Sequence, residues 1–338
     1  MTKQSESVSV FAPATVANVG SAFDVLGFAL EAPGDTVTVT PCERPGVHIV
    51  EILGCTEKLP MEPDKNTASV SVQLLLHELP NKGVSFDVAR RGIEISIHKG
   101  LPIGSGLGSS SASTVAAVVA ANYLFNEPFS RLELLPFAME GERVACGSAH
   151  ADNVAPALLG GFTLVRSYSP LEVIKLPSPS TLYVTCITPD VEVKTSDARR
   201  ILKTSVLLKD AISQWGNVAA LVAGIFTDDV SLIGRSLEDK IIEPERAALI
   251  PGFYAFRQAA CAAGALGFAI SGSGPTMFAI SGSPHDASRI QEALAQRCKS
   301  EGITGKAFIS RVNPLGAVRT DSIECDASII TQSGSHPL

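Results

Sequence analysis

The stretch from Gly92 to Phe125 constrains this chain more than any other. Residues 92–99 alternate around Ile93, Ile95 and Ile97, which is the period of a strand. Pro102, Ile103, Gly104, Ser105, Gly106, Leu107 and Gly108 follow, with glycine at every second position from 104 onward. Next come Ser109, Ser110, Ser111, Ala112 and Ser113, then an Ala/Val run to Phe125 without glycine, proline or charge. A strand leads into a glycine-rich loop, and the loop opens a helix.

That layout makes an anion site. The first N–H groups of a helix lack intrahelical partners, and the helix dipole favours negative charge there. Glycines let the backbone approach a phosphate and adopt dihedrals that a side chain forbids. Serine hydroxyls add donors and can ligate Mg²⁺. A capped helix after an ordinary turn is the plainer alternative, but three glycines and three serines exceed what a cap needs. Two familiar phosphate loops fit poorly. The P-loop of NTPases needs a lysine after its last glycine, where this chain has Ser109. The dinucleotide fingerprint needs Gly-x-Gly-x-x-Gly and an acid about 20 residues on. Here the spacing is Gly-x-Gly-x-Gly, and Glu127 beside Pro128 lies in no strand-like run.

The 338 residues suffice for two domains or one large one. Net charge is −7 with lysine and arginine scattered, which argues against a nucleic-acid surface. Met1 to Val8 contains no apolar signal-like segment, and the run from Ala116 to Phe125 is too short to span a bilayer. A cytoplasmic protein with no membrane partner is expected. The seven cysteines form no Cys-x-x-Cys pair and read as buried thiols.

Strands are expected at residues 7–12 and 35–40 around a loop over 13–30, and at 48–53, 86–89, 162–165 and 182–188. Helices are expected at 67–77, 131–144, 196–215, 218–226, 232–240, 247–250, 253–263 and 284–299. Two strands, 267–270 and 277–280, flank Ser271, Gly272, Ser273, Gly274 and Pro275, and another is expected at 307–310. The second half reads as a small α+β layer. Residues 1–169 and 170–325 are expected as two domains, followed by a polar tail over 326–338.

Three motifs occur in order: Phe11 to Asp24, containing Asn18 and Gly20; the glycine loop; and Ser271 to Thr276. In that order and at those separations they resemble the motifs of the GHMP kinase superfamily. The segments His150 to Gly161, Val193 to Arg199 and Glu243 to Gly252 are similar to its homoserine kinase subfamily. The resemblance implies an α+β fold of two domains, the first like ribosomal protein S5 domain 2 and the second ferredoxin-like. It also implies phosphorylation of the L-homoserine hydroxyl by ATP with Mg²⁺, a step in threonine biosynthesis, and a homodimer. Nearby alternatives are another small-molecule kinase of the superfamily and a catalytically silent nucleotide-binding regulator.

Site roles follow from the same resemblance. Asn18, Asp24, Arg199 and Arg246 match residues that hold the amino-acid end of the substrate. Asn153 matches the residue that holds the reacting hydroxyl, with Thr195 near it. The loop from Pro102 to Ala112 matches the triphosphate loop, with Ser271 to Gly274 packing beside it. Ser110 and Glu142 match the Mg²⁺ ligands, and Asn66 a position beside the adenine. No mevalonate-type lysine stands among Ala14, Thr15 and Val16; the resemblance implies no dedicated base, with the proton passing to the γ-phosphate or to water, and Asp152 is the fallback acceptor. The residue types suit the chemistry: a carboxylate for an ammonium, guanidinium forks for a carboxylate.

Each residue also has a plainer reading. Arg199 beside Arg200 fits a solvated helix face, Glu142 a surface, Asn18 a turn, and Asp152 with Asn153 a helix cap. His150 reads as a residue that orients its loop. Asp24 among Phe23, Val25 and Leu26 resists a plain reading, because an unpaired buried carboxylate is costly. The chain departs from the family at Gly20, Ser21 and Ala22, where Gly-Pro-Gly is common. Ala22 adds a methyl that excludes most conformations with positive φ, so the resemblance does not fix the backbone around Asp24 or the fine shape of the substrate pocket.

Overall fold

The computed structural model of the chain describes residues 7–147 and 150–320. The expected polar tail and Cys325 lie outside the described residues, as does the side chain of Cys146. A seven-stranded and a four-stranded sheet organise the chain. β1 (Val8–Ala17) and β2 (Leu26–Cys42) pair antiparallel, with a register shift between Pro13 and Thr15. β4 (Gly92–His98) runs antiparallel to the later part of β2, and β3 (Gly46–Leu53) lies parallel to β4. The early part of β2 instead pairs with β5 (Phe162–Tyr168), which pairs with β6 (Leu171–Leu176).

The expected loop over 13–30 is therefore mostly strand. Thr15, Val16 and Ala17 pair with Ala29, Phe28 and Gly27, and the connection shrinks to residues 18–25. Pro13 resembles a loop residue in sequence, but it sits where the ladder shifts register, a place that tolerates proline. The expected strand at 86–89 does not form. Phe86 instead packs edge-on against Phe125, with 5.0 Å between ring centroids.

α1 (Thr67–Glu78), α2 (Ser109–Leu124), α3 (Arg131–Cys146) and α4 (Ala151–Leu159) pack together, with α2 and α4 on β1 and β2. α2 is buried from Ser111 to Asn122, which explains why its sequence carries no charge and no polar stripe. α4 has no counterpart among the expected elements. Its internal Pro156 and small residues hide it, and Asp152 and Asn153 lie in its first turn after the N-cap His150.

The second sheet has strand order β10-β7-β9-β8, built from β7 (Tyr183–Pro189), β8 (Gly267–Ile270), β9 (Met277–Ser281) and β10 (Gly305–Arg311). All its pairs are antiparallel, and the order is that of a ferredoxin-like unit. The helix expected over 196–215 is two pieces, α5 (Thr195–Arg200) and α6 (Leu208–Thr227). Between them Thr204, Ser205 and Val206 are poor helix formers, while Gly216, in the gap between the helices expected at 196–215 and 218–226, lies inside α6. α7 (Val230–Ser236), α8 (Glu243–Arg246), α9 (Phe253–Ala262) and α10 (Pro284–Glu301) complete the layer, and Ala247–Leu249 is a 3₁₀ turn. β11 (Val318–Arg319) returns to pair with β1.

One core cluster joins the two sheets. Phe28 of β2 packs at a tilt against Phe162, 4.7 Å between ring centroids, and meets Phe278 of β9 at 6.0 Å. A second cluster around Phe253, Phe256 and Leu294 lies under α9 and α10. Cys186 and Cys298 are buried free thiols as expected, but Cys42 and Cys55 are partly exposed and Cys261 is exposed. No helix among the described residues is long and apolar enough to cross a membrane.

Candidate active site

The glycine loop lies where the sheets meet. Gly104, Gly106 and Gly108 have φ of +67°, +81° and +67°, which side chains rarely adopt. The carbonyls of the loop are held from below. Ser105 O accepts from Thr276 N at 3.1 Å, Gly106 O from Ser271 Oγ at 2.7 Å, and Leu107 O from Thr15 N at 3.0 Å. The N–H groups from Gly104 to Ser111 donate to no other described residue. A row of unspent donors therefore curves into the positive end of α2, which is what an anion requires. The Ser271 to Gly274 turn packs against this loop as expected. A Cβ on Gly106 would lie 2.5 Å from Ser271 O and 2.8 Å from Gly274 O.

Just inside α2, Ser110 Oγ donates to both Glu142 oxygens at 3.0 and 3.1 Å, and Ser111 Oγ donates to one at 2.6 Å. Glu142 is buried, so the plain surface reading is excluded. Hydroxyl and carboxylate oxygens beside a phosphate-sized donor row are the ligand chemistry of Mg²⁺. The part of Ser111 was not visible in sequence, since any of the serines could face Glu142.

Residues 18–25 form a tight connection between β1 and β2. Positive φ falls on Asn18, Val19, Gly20 and Asp24, but not on Ala22. Ala22 takes no positive φ, as its methyl requires. Val19 at φ +40° is an uncommon conformation for a β-branched residue and costs on the order of 1–3 kcal/mol. Asn18 closes the connection. Its Oδ1 accepts from Asp24 N at 3.0 Å and its Nδ2 donates to Gly272 O at 2.8 Å.

Charged side chains converge beside it. Arg199 Nη2 donates to the Asp24 oxygens at 2.8 and 2.9 Å and lies 3.3 Å from His150 Nδ1. Arg246 is buried, with Nε donating to Ala198 O at 3.1 Å and Nη1 to Gly272 O at 2.8 Å. The Phe23 ring lies beneath both guanidiniums, 4.9 Å from that of Arg246 and 5.6 Å from that of Arg199. Burial, and then the charge of Arg199, pushes Arg246 down to about 10. Ligand atoms of Asp24, His150 and Asp152 lie within 4.8 Å of one another. Burial, reinforced by Asp24 and Glu142, pushes the Asp152 carboxyl up to about 7. Burial and the Arg199 charge lower the His150 imidazole. The Tyr168 hydroxyl ties α4 to this group, accepting from Ala151 N and donating to Asp24 O, both at 3.3 Å. Tyr168 and Phe23 were not singled out in sequence because ring contacts across the fold leave no local pattern.

Asn153, the next residue of α4 after Asp152, lies against the glycine loop. Thr15 Oγ1 donates to Asn153 Oδ1 at 2.6 Å, and a Cβ on Gly108 would lie 2.9 Å from the same oxygen. Thr195 pairs with Ser273, 3.3 Å between hydroxyl oxygens. Asn66 caps α1, its Oδ1 accepting from Ala68 N and Ser69 N and its Nδ2 donating to Pro60 O at 2.9 Å. Gly272 links the two halves of the site: its carbonyl takes Asn18 and Arg246, and a Cβ on it would lie 3.1 Å from Gly106 O.

Residues 66–161 match the family of GHMP kinases N terminal domains, and residues 219–300 match the GHMP kinases C terminal family. The chain is 50% identical over 319 residues to a homoserine kinase of Chlorobium phaeobacteroides, covering 92% of this chain and 99% of that protein. It superposes on the crystal structure of homoserine kinase from Cytophaga hutchinsonii with a TM-score of 0.88 and 51% identity, covering 94% of this chain and 99% of that one. A mevalonate kinase from L. major in complex with R-mevalonate shares the fold alone, with a TM-score of 0.69 at 16% identity over 89% of this chain and 95% of that one.

Proposed function

The chain belongs to the homoserine kinases of the GHMP kinase superfamily, and on that premise we propose that it transfers the γ-phosphoryl group of ATP to the side-chain hydroxyl of L-homoserine. The products are O-phospho-L-homoserine and ADP. The observation that carries this reading is the glycine loop, whose carbonyls are tied down while its amides stay unspent.

Phosphoryl transfer depends on positioning and charge compensation more than on covalent help. The amides of Gly104 to Ser111 and the start of α2 hold the β- and γ-phosphates. Ser110 and Glu142 would hold Mg²⁺, which when bound would offset negative charge on the phosphate oxygens. Asn153, its amide oxygen fixed by Thr15, directs its NH₂ group to the substrate hydroxyl. The ammonium of homoserine takes Asp24, and its carboxylate takes Arg199 and Arg246, so a zwitterion inserts across the Asp24–Arg199 pair. Asn66 places the adenine through the start of α1, and Thr195 with Ser273 borders the hydroxyl end.

Asp152 has two readings. As a proton acceptor it needs to reach the hydroxyl beside Asn153. Its position among Asp24 and His150 favours the second reading, a partner for the ammonium. The hydroxyl proton then leaves with a phosphate oxygen or to water.

A homodimer is proposed on the outer face of α6. Leu208, Ile212, Trp215, Ala219 and Phe226 are exposed and recur on one stripe of the helix, with Leu208 67% and Trp215 62% exposed. Two copies of such a stripe complement each other across a two-fold axis. The free cysteines among the described residues fit a reducing compartment, and we assign the cytoplasm.

The test is a screen of purified protein for ADP release from ATP with homoserine, mevalonate, galactose and shikimate. Turnover is expected to require homoserine. Equal rates with the other alcohols would end the assignment.

A further inference from the structure

Two buried charges meet at the stem of the glycine loop. Asp35 on β2 is fully buried, and Lys99, just after β4, is 4% exposed. They form an ion pair. One Asp35 oxygen accepts from Gly100 N at 3.0 Å and Leu101 N at 3.2 Å, the residues that lead into the loop. The other accepts from Lys99 and from Ser113 Oγ at 2.7 Å. Lys99 also donates to Ser109 O at 2.7 Å and Ser113 Oγ at 2.8 Å, in the first turns of α2.

A lysine shortly before a phosphate loop invites assignment as a phosphate ligand. The geometry points elsewhere. An ammonium has three N–H groups, and Asp35, Ser109 and Ser113 take all of them. We propose that Lys99 and Asp35 are positioning residues for ATP: they clamp both ends of the glycine loop to one carboxylate and never touch the nucleotide. This rests on residues 104–111 being the triphosphate site.

Stability alone does not explain the pair. Desolvation offsets most of the attraction in a buried ion pair, and apolar residues of similar size often serve as well. Apolar contacts do not tie the strand end, the start of the loop and the helix start together with fixed direction. A row of backbone donors is useful only while its members point at one locus, and small misplacements weaken it. The clamp supplies that direction from below, as Thr15, Ser271 and Thr276 do through the loop carbonyls.

The test compares two variants with the parent enzyme, Ser113→Ala and the double variant Lys99→Met/Asp35→Asn. KM for ATP and for homoserine are measured separately. In the double variant the KM for ATP is expected to rise about tenfold, the scale for residues that support a binding shell, while that for homoserine stays within about twofold. Ser113→Ala is expected to show the same split at a smaller size. An unchanged KM for ATP in the folded double variant would overturn the proposal, as would a parallel rise in both constants. Should the double variant not fold, the Ser113→Ala result decides alone, since alanine suits a helix better than serine. A Gly106→Ala enzyme with normal KM for ATP would instead remove the triphosphate reading of the loop.

Discussion

Asp152 is the residue whose chemistry is most open to measurement. Its carboxyl, ordinarily near 3.8, is pushed to about 7. Between those values the folded protein keeps a proton that the unfolded chain has released. Stability contributed by this group is present below the unfolded value and is lost as pH rises through about 7. The loss amounts to at most about 4 kcal/mol, from a shift of roughly three units. Asp152→Asn is expected to melt higher than the parent at pH 8 and close to it at pH 4. Glu243, also raised to about 7 by burial, leaves part of the slope in place. The same variant separates the two roles of Asp152. As ammonium partner, its loss raises the KM for homoserine with kcat largely kept. A fall in kcat of about 10²-fold with KM unchanged would make it the proton acceptor. Thr15→Val tests the orientation of Asn153: kcat is expected to fall about tenfold, with the KM for ATP unmoved. Asp24 and Arg199 were legible in sequence through motifs that resemble a family. Thr15 was not, because its partner Asn153 lies 138 residues away. Asn66 is expected beside the adenine from the resemblance alone; its hydrogen bonds display an N-cap, a role not expected from the sequence.

At the scale of elements, the glycine loop and α2 could be read directly, since backbone freedom and an uncharged run are local properties. Gly106→Ala puts a methyl against two carbonyls at φ +81°. It is expected to lower stability by about 1–3 kcal/mol and to raise the KM for ATP, checked by denaturant titration and initial rates. Pro13, Pro33 and Pro41 interrupt the alternation of β1 and β2, so the local pattern shows less of each strand than forms; a bulge and an alternate partner let them continue. α4 was hidden by Pro156, and β6 and β11 by their shortness or weak alternation. What local pattern encodes was visible. Elements that exist only because distant residues stabilise them were not.

At the scale of the molecule, the candidate active site is a junction: Ser271 and Thr276, from the turn of the second sheet, bond to the glycine loop of the first, over a shared core through Phe28 and Phe278. The exposed α6 stripe predicts assembly from the same logic that buried α2. Trp215→Glu is expected to convert a dimer to a monomer in sedimentation velocity at micromolar concentration. A parent that already sediments as a monomer would dismiss the interface. The measurement that bears most directly on the whole is a crystal structure with homoserine and a non-hydrolysable ATP analogue. The triphosphate is expected against the amides of Gly104 to Ser111, with its terminal phosphorus facing the homoserine hydroxyl at Asn153. A triphosphate bound elsewhere, with those amides turned to solvent, would contradict it.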